Sequence, residues 1–278
     1  MLKQRVITAV VLLLVLLPAV FAPMAWPFAL LTLVMVAGAG WEWGRLNGAS
    51  PSAAVVMGVL VAVLCGAALL LGGISVGANV AWWAACGIWV LGGALAIRVG
   101  PTAWPGLPRM ARWVLGVAML FTAWLALASA KVVGLNFLLS VFCLVWVADI
   151  AAYFGGRTFG RRKLAPAISP GKSWEGVWSG MVGVMLLAAA WIAIDSRWHT
   201  GSASLFTLLY QRFDVAGLGL ALVFLCAMSV VGDLVESLVK RAAGAKDSSQ
   251  LLPGHGGVLD RVDALLPVFP IAMALSSL

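Results

Sequence analysis

Apolar runs of close to 20 residues recur along almost the whole chain, and this feature decides the fold class. About 20 residues of α-helix cross the hydrocarbon core of a bilayer. Of the 278 residues, 63% are hydrophobic and only 10% are charged, whereas a soluble domain carries about 25% charged residues. The sequence therefore predicts an all-α, polytopic transmembrane helical bundle of about nine spans. Their approximate limits are 6–22, 27–44, 54–73, 79–97, 113–130, 135–154, 177–194, 215–234 and 262–278.

The first apolar run has two interpretations. Lys3 and Arg5 precede the apolar residues 6–17, and Ala19 to Ala22 follow, as in a secretory signal peptide. A retained first membrane helix is the favoured interpretation, because further spans follow at once.

The distribution of lysine and arginine predicts the orientation of the bundle. Cytoplasmic loops of membrane proteins carry an excess of these residues. With the N-terminus inside, nine spans leave only Lys131, Arg197 and Arg212 of the 18 basic residues outside. The net charge of +8 fits this bias and attraction to anionic lipid heads, or else binding of anionic substrates. We expect a bacterial-type inner membrane protein with its functional groups facing the cytoplasm.

Two predicted cytoplasmic loops, 155–176 and 236–261, are polar, glycine-rich and basic. Residues 1–130 are expected to form N-terminal membrane helices that provide scaffolding and dimer or lipid contacts. Residues 131–278 are expected to form a second membrane region that carries both loops and most of the functional groups.

Several carboxylates lie within or beside apolar runs, where a charge is costly unless it is paired or wetted. They are Glu42 and Asp149 inside runs, Asp233 and Glu236 at the end of the eighth, and Asp260 and Asp263 at the start of the ninth. A spacing of three places each of the last two pairs on one helix face. If these helix ends converge, a divalent cation would relieve the repulsion, and Mg²⁺ prefers such oxygen ligands. The alternative is that each acid pairs with Lys240, Arg241 or Arg261.

The glycine-rich segments near these acids are suited to phosphate binding. His255 lies in the run PGHGG, where glycine lets backbone N–H groups approach an anion closely. In ISPGKSWEG, residues 168–176, Ser173 is placed to cap the next helix. Its Gly-Lys-Ser is not a P-loop, because the upstream glycine and the preceding strand are missing. An interfacial turn in the first segment and plain positive-inside charge in the second are the alternatives.

Patterns typical of nucleophilic or zinc-dependent hydrolysis are missing from the sequence. It contains no Ser-His-Asp, Cys-His or HExxH arrangement, its four cysteines lie singly in apolar runs, and His199 is isolated in a predicted external loop. Cations, carboxylates and glycine remain. They suit phosphoryl or nucleotidyl transfer, in which positioning and charge neutralisation supply most of the catalysis.

The segment 237–263, SLVKRAAGAKDSSQLLPGHGGVLDRVD, resembles the signature of the phosphatidate cytidylyltransferase (CDP-diacylglycerol synthase) family. It contains Ser-x-apolar-Lys-Arg, Lys-Asp, Pro-x-His-Gly-Gly and Asp-Arg-apolar-Asp in that order. ISPGKSWEG is similar to the family's second conserved loop, with Ser173 where threonine is more usual. The N-terminal run with Glu42 is compatible with the family but much less specific.

The resemblance implies transfer of a cytidylyl group from CTP to phosphatidate, which gives CDP-diacylglycerol and pyrophosphate for phospholipid biosynthesis. It also implies Mg²⁺ as cofactor, K⁺ as a second cation of the metal centre, and a homodimer surrounded by membrane lipids. Nucleic acid is not an expected partner.

The resemblance and the charge pattern together give the expected site residues. The metal ligands are Asp233, Asp260 and Glu236. The catalytic set is Asp233, Asp260, Asp263, His255, Lys240 and Arg241. The substrate-binding set is Lys172, Ser173, Lys246, Asp247, Gly256, Gly257 and Arg261. The basic side chains would hold pyrophosphate or the lipid headgroup, and His255 would act as a general acid or orient a phosphate.

Two other functions stay open. A CTP-dependent enzyme that acts on another lipid, such as an isoprenoid alcohol or an archaeal ether lipid, would share these motifs and differ in its lipid groove. A cation- or proton-coupled transporter would explain Glu42, Asp149 and Asp233 within spans. It would not explain GHGGVLDRVD, and the chain has no visible repeat. A structural scaffold would not explain the acids.

Overall fold

The computed structural model describes residues 2–74, 79–198 and 201–278, and His199 lies outside them. As the apolar runs predict, most of the chain is α-helical. The first half contains α1 (Leu2–Phe21), α2 (Trp26–Leu46), α3 (Pro51–Leu70), α4 (Asn79–Gly87), a π-helical segment (Ile88–Gly92), α5 (Gly93–Val99), a 3-10 turn (Trp104–Gly106) and α6 (Arg109–Val133). The second half contains α7 (Leu135–Phe159), β1 (Lys163–Ala165), β2 (Ser169–Ser173), α8 (Trp174–Arg197), α9 (Leu205–Ala242), α10 (Leu259–Val262) and α11 (Leu265–Ser276).

Six helical rods in the described ranges are long and apolar enough to cross a membrane. They are α3, the continuous rod Asn79–Val99 formed by α4, the π-helical segment and α5, and then α6, α7, α8 and α9. The chain is therefore a multi-pass membrane protein. The other three predicted spans correspond to α1, α2 and α11.

Helix α11 differs from the predicted ninth span, 262–278. It has 12 residues, which rise about 18 Å, less than the hydrocarbon core of about 30 Å. Its residues from Leu266 to Ala274 are all buried, and it packs against α4, α6, α7 and α9. α11 thus forms part of the centre of the bundle rather than a lipid-facing rod.

Helix α9 consists of two helices joined at Asp214, whose φ of 55° and ψ of −169° interrupt the helical backbone. The part after this kink begins where the predicted eighth span, 215–234, begins. It continues two turns further, to Ala242. The extension carries Lys240 and Arg241 on the same helix as Asp233 and Glu236.

The two polar loops are shorter than the sequence predicted. Because α7 continues to Phe159 and α9 to Ala242, the connections without α-helix are 160–173 and 243–258. Within the first of them β1 and β2 form an antiparallel hairpin. No apolar alternation marks these short strands, so the sequence did not predict them.

Helices α7 and α8 approach each other closely because α8 presents glycine to its neighbour. A Cβ atom at Gly176 would lie 2.8 Å from Ala152 O, and one at Gly180 would lie 2.8 Å from Ala148 O. Small residues permit such backbone approach between membrane helices. The close packing fixes the hairpin at the shared end of the pair.

Hydrogen bonds between helix ends agree with an alternating up-and-down topology. Lys131 Nζ donates to Val20 O at 2.6 Å, which joins the C-terminal ends of α6 and α1. At the opposite end of the bundle, Trp43 Nε1 donates to Arg112 O at 2.8 Å, which joins the end of α2 to the start of α6.

Candidate active site

Asp233, Glu236 and Asp260 lie in two groups, each held by one lysine. In the first group, Lys240 Nζ lies 2.6 Å from Glu236 Oε2 and 2.6 Å from Asp260 Oδ1. In the second, Lys172 Nζ lies 2.6 Å from Asp233 Oδ2. The C-terminal part of α9 and the start of α10 therefore converge, and lysines supply the neutralising charge, in agreement with the alternative in which Lys240 pairs with the acids.

Asp260 has a closely fitted set of donors besides Lys240. Its Oδ2 accepts hydrogen bonds from Ser248 N at 2.9 Å, Ser248 Oγ at 2.8 Å and Gly257 N at 2.8 Å. Burial alone would raise the pKa of Asp260. The Lys240 ammonium and the donors of Gly257 and Ser248 outweigh burial and hold this pKa well below its usual range.

The double glycine of the motif lets the chain close around carboxylates. Gly256 has a φ of +84°, and a Cβ there would lie 2.9 Å from Asp260 Oδ2. A Cβ at Gly257 would overlap Ser248 Oγ and Glu42 Oε1. These contacts explain glycine at both positions, and the substrate-binding role of the pair stays a prediction.

Glu42 belongs to this same assembly, although sequence reasoning gave it no role in the site. It is fully buried, with 0% of its surface exposed. Its carboxylate accepts hydrogen bonds from the backbone of Val258 and Leu259 and from the hydroxyls of Ser248 and Ser249. The available signal was an acid inside an apolar run, although Arg45, three residues on, offered an apparent partner that instead lies over the Trp41 ring. Its partners lie too far along the chain for periodicity to identify them.

A cavity of about 530 Å³ opens between α7, α8 and α9 next to the second lysine group. Its polar lining includes Asp149, Tyr153, Arg157, Lys172 and Asp233. Its apolar lining includes Ala148, Ala152, Val177, Met181, Cys226 and Val230. Asp263 lies close enough to Asp233 and Asp149 to interact with their charges. The cavity thus joins a charged end to an apolar channel between helices.

Ser173 is placed as the sequence predicts. Its hydroxyl accepts a hydrogen bond from Gly176 N at 3.2 Å and caps α8. The same residue closes the hairpin and lines the cavity.

The motif arginines do not pair with these acids among the described residues. Arg241 Nη1 donates to Ala245 O at 3.1 Å, and Arg261 Nε donates to His255 O at 3.0 Å. Both arginines therefore brace turns of their own segment, and the pairing alternative holds only for Lys240.

The other predicted site residues lie at the edge of the assembly. Lys246 and Asp247 are exposed. Within the described ranges Lys246 forms no ion pair with the clustered acids. His255 is half-buried, and its Nδ1 has no hydrogen-bond partner in the described part of the chain. Their roles in catalysis and substrate binding stay predictions.

The carboxylate oxygens of this site are of the chemical type that binds a hard cation. Glu236 Oε1 is buried and accepts no hydrogen bond from the described residues, and Asp233 Oδ1 accepts one, from Ser237 Oγ at 3.2 Å. Carboxylate oxygens of this kind are the ligands that Mg²⁺ prefers. In the described ranges no group of three His, Cys, Asp or Glu side chains is poised to hold a metal ion, because lysines occupy the space between the acids.

Known proteins resemble this chain, one of them over almost its full length. The sequence model of the cytidylyltransferase family matches residues 3–278. The phosphatidate cytidylyltransferase of Pseudomonas aeruginosa is 41% identical over 288 residues, which cover 99% of this chain and 97% of that protein. The phosphatidate cytidylyltransferase of Haemophilus influenzae is 51% identical over 137 residues, 49% of this chain and 44% of that protein. The chloroplastic phosphatidate cytidylyltransferase 5 of Arabidopsis thaliana is 40% identical over 144 residues, 52% of this chain and 32% of that protein.

Proposed function

This chain belongs to the cytidylyltransferase family, and from that premise we propose that it converts CTP and phosphatidate into CDP-diacylglycerol and pyrophosphate. The observation that carries the proposal is the 41% identity to the Pseudomonas aeruginosa phosphatidate cytidylyltransferase over 99% of the chain. The enzyme is a CTP-dependent nucleotidyltransferase of phospholipid synthesis.

The reaction needs no nucleophilic side chain. A phosphate oxygen of phosphatidate attacks the α-phosphorus of CTP in line. A new P–O bond forms, the bond to the β-phosphate oxygen breaks, and pyrophosphate leaves. The protein therefore has to align two anions and neutralise their charge. Lys172 and Lys240 bring ammonium groups suited to phosphate oxygens into the site.

The cavity supports a lipid with a small anionic head. Lys172 and Arg157 lie at its polar end, and Val177 and Val230 lie along its apolar part. A phosphate monoester bound at the polar end would leave its acyl chains between α7, α8 and α9, next to the bilayer. Asp149 and Asp233 share that end, so a cation would reduce the repulsion between them and the substrate.

Asp233, Asp260 and Glu236 are the residues that would hold Mg²⁺. When bound, Mg²⁺ neutralises charge that develops on the triphosphate. Asp263 lies beside this group, and K⁺, the second cation implied by the resemblance, would bind in the same carboxylate environment.

We place the N-terminus and the site on the cytoplasmic side of a bacterial-type inner membrane. The support is the charge bias, since nine spans leave only three of 18 basic residues outside. In this arrangement α1, α2 and α11 lie in the bilayer with the six longer rods, α10 lies at the cytoplasmic edge, and a homodimer is the expected assembly. CTP then reaches the site from the cytosol and phosphatidate reaches it from the leaflet.

A product assay tests the function. Purified protein in detergent receives phosphatidate, Mg²⁺ and CTP labelled in the α-phosphate, and a labelled lipid is expected. The product should disappear with EDTA and with Asp260→Asn. A labelled lipid formed only from another acceptor, such as a polyprenyl phosphate, would keep the chemistry and replace the substrate. Folded protein that labels no lipid would refute the enzyme assignment.

A further inference from the structure

Glu42 differs from Asp233, Glu236 and Asp260, which lysines hold, because all its hydrogen-bond partners are uncharged. Oε1 accepts from Val258 N at 2.9 Å and from Ser249 Oγ, and Oε2 accepts from Leu259 N at 2.8 Å and from Ser248 Oγ at 3.3 Å. The two backbone N–H groups and the Ser249 hydroxyl donate to Glu42, and the Ser248 hydroxyl lies between Glu42 and Asp260. A buried acid with this many donors is fixed in position.

The four donors lie at the two ends of one loop. Ser248 and Ser249 begin the segment 248–259, and Val258 and Leu259 end it. One carboxylate therefore draws both ends together, and its two backbone partners lie at the start of α10. Gly257 completes the closure, because a Cβ there would overlap Glu42 Oε1.

Ser248 links Glu42 to the predicted metal ligand Asp260. Its Oγ lies 2.8 Å from Asp260 Oδ2 and 3.3 Å from Glu42 Oε2. A hydroxyl has one proton, so it donates fully to one carboxylate at a time, and the shorter distance assigns it to Asp260. The Ser248 backbone N–H also donates to Asp260 Oδ2 at 2.9 Å. Glu42 thus helps to hold the loop end that carries Ser248, and the position of Ser248 in turn sets the orientation of Asp260.

The helix that carries Glu42 is itself braced by a buried polar cluster. Asn47 Nδ2 donates to Trp43 O at 2.9 Å, and its Oδ1 accepts from Trp104 Nε1 at 2.9 Å. Trp113 Nε1 donates to Asn47 O at 3.3 Å. The end of α2 is thus held to the 3-10 turn and to α6, which gives Glu42 a rigid base.

We propose that Glu42 is a positioning residue for the cytidylyl transfer, acting through the 248–259 loop on Asp260. The expected changes in kinetics rest on the proposed function. The expected change in the 248–259 loop rests on the geometry alone. It assigns the N-terminal half of the chain a direct role in shaping the site, beyond scaffolding.

Glu42→Gln tests the role while preserving the size of the side chain. The amide of the new glutamine keeps one acceptor oxygen and replaces the other with an NH2 group. That NH2 group would face donors of the loop and lose their hydrogen bonds, so at least one end of the loop should be released. We expect kcat to fall about 10- to 100-fold, as for residues that orient metal ligands. The Mg²⁺ concentration for half-maximal activity should rise, and the KM for phosphatidate should stay within twofold of the wild-type value. Hydrogen exchange of the amides in 248–259, measured on the full-length protein without substrate or metal, should accelerate.

Two further variants separate positioning from general stability. Ser249→Ala removes one donor to Glu42 without touching Asp260, so it should show the same changes in smaller degree and keeps the test valid if Glu42→Gln fails to fold. Asp195→Asn is the matched control, because Asp195 accepts hydrogen bonds from Ser204 and Thr207 at the opposite end of the bundle. This control should leave loop exchange and the Mg²⁺ requirement unchanged.

The outcomes are distinguishable. Unchanged loop exchange in Glu42→Gln and Ser249→Ala would overturn the proposal, and so would a loss of activity matched by Asp195→Asn at equal thermal destabilisation. If the wild-type protein labels no lipid, the proposed function fails. The exchange measurement would still decide whether Glu42 holds the loop.

Discussion

Lys172 Nζ lies 2.6 Å from Asp233 Oδ2, so the hairpin and the end of α9 are joined by one ion pair on the cavity wall. About a quarter of each side chain is exposed. An ion pair of this exposure contributes only about 0–1 kcal/mol to stability, yet both groups face the space proposed for the lipid phosphate. Removing this ion pair should therefore lower activity much more than it lowers stability.

Lys172→Gln should lower kcat/KM about 100-fold through loss of a charge that stabilises phosphate, while the thermal midpoint in detergent changes little. Lys172→Arg keeps the charge and should retain more activity. Lys163→Gln, in the same hairpin and exposed, is the matched control and should resemble wild type. A drop in thermal midpoint as large as the loss of activity would contradict this expectation.

Lys240 should behave in the opposite way, because its ion pairs are buried. Lys240→Ala leaves Glu236 and Asp260 buried without their cation, which typically costs about 3–5 kcal/mol. Thermal unfolding in detergent should show a clear loss, whereas Arg241→Ala, which removes an exposed neighbour, should lower the midpoint much less. Equal destabilisation by the two variants would show that the Lys240 ion pairs do not support the fold.

Gly257→Ala should disrupt the loop, because the new methyl group would overlap Ser248 Oγ and Glu42 Oε1. We expect loss of cytidylyl transfer and faster proteolysis within 243–258. Gly219→Ala is the control, since a Cβ there meets no atom within 4 Å. Full activity of Gly257→Ala would mean that the loop has more room than the structure shows.

Filling the apolar part of the cavity should change lipid selectivity. Val230→Phe narrows the channel between the helices, so the KM for a long-chain phosphatidate should rise more than the KM for a short-chain one. The control is Leu220→Phe on the exposed face of the same helix, where 74% of the side chain is accessible. A parallel rise for both lipids would place the acyl chains elsewhere.

The sequence predicted the helices well because apolar length is a local property of the chain. Six predicted spans correspond to long apolar rods, and Lys240 pairs with Glu236 and Asp260, as the alternative to a metal site predicted. Ser173 caps α8 as predicted, because capping depends on neighbouring residues only. The family prediction is confirmed by the full-length match.

Features that depend on distant contacts were not predictable in this way. Glu42 was recognised as an unusual acid, but its donors come from residues more than 200 positions away. The central position of α11 depends on the four helices that surround it. The transporter alternative relied partly on Glu42, whose hydrogen bonds to one loop give it a structural explanation.

The bond between Glu42 and Leu259 N spans 217 positions of the chain, which sets a condition on biosynthesis. A ribosome releases the second helix more than 200 residues before the 248–259 loop. Until that loop emerges and meets Glu42, the nascent protein holds a buried acid in the membrane without its donors. The site is therefore assembled only after residues 248–259 have been synthesised, and a chain that stops short of residue 248 would carry an exposed defect for membrane quality control to recognise.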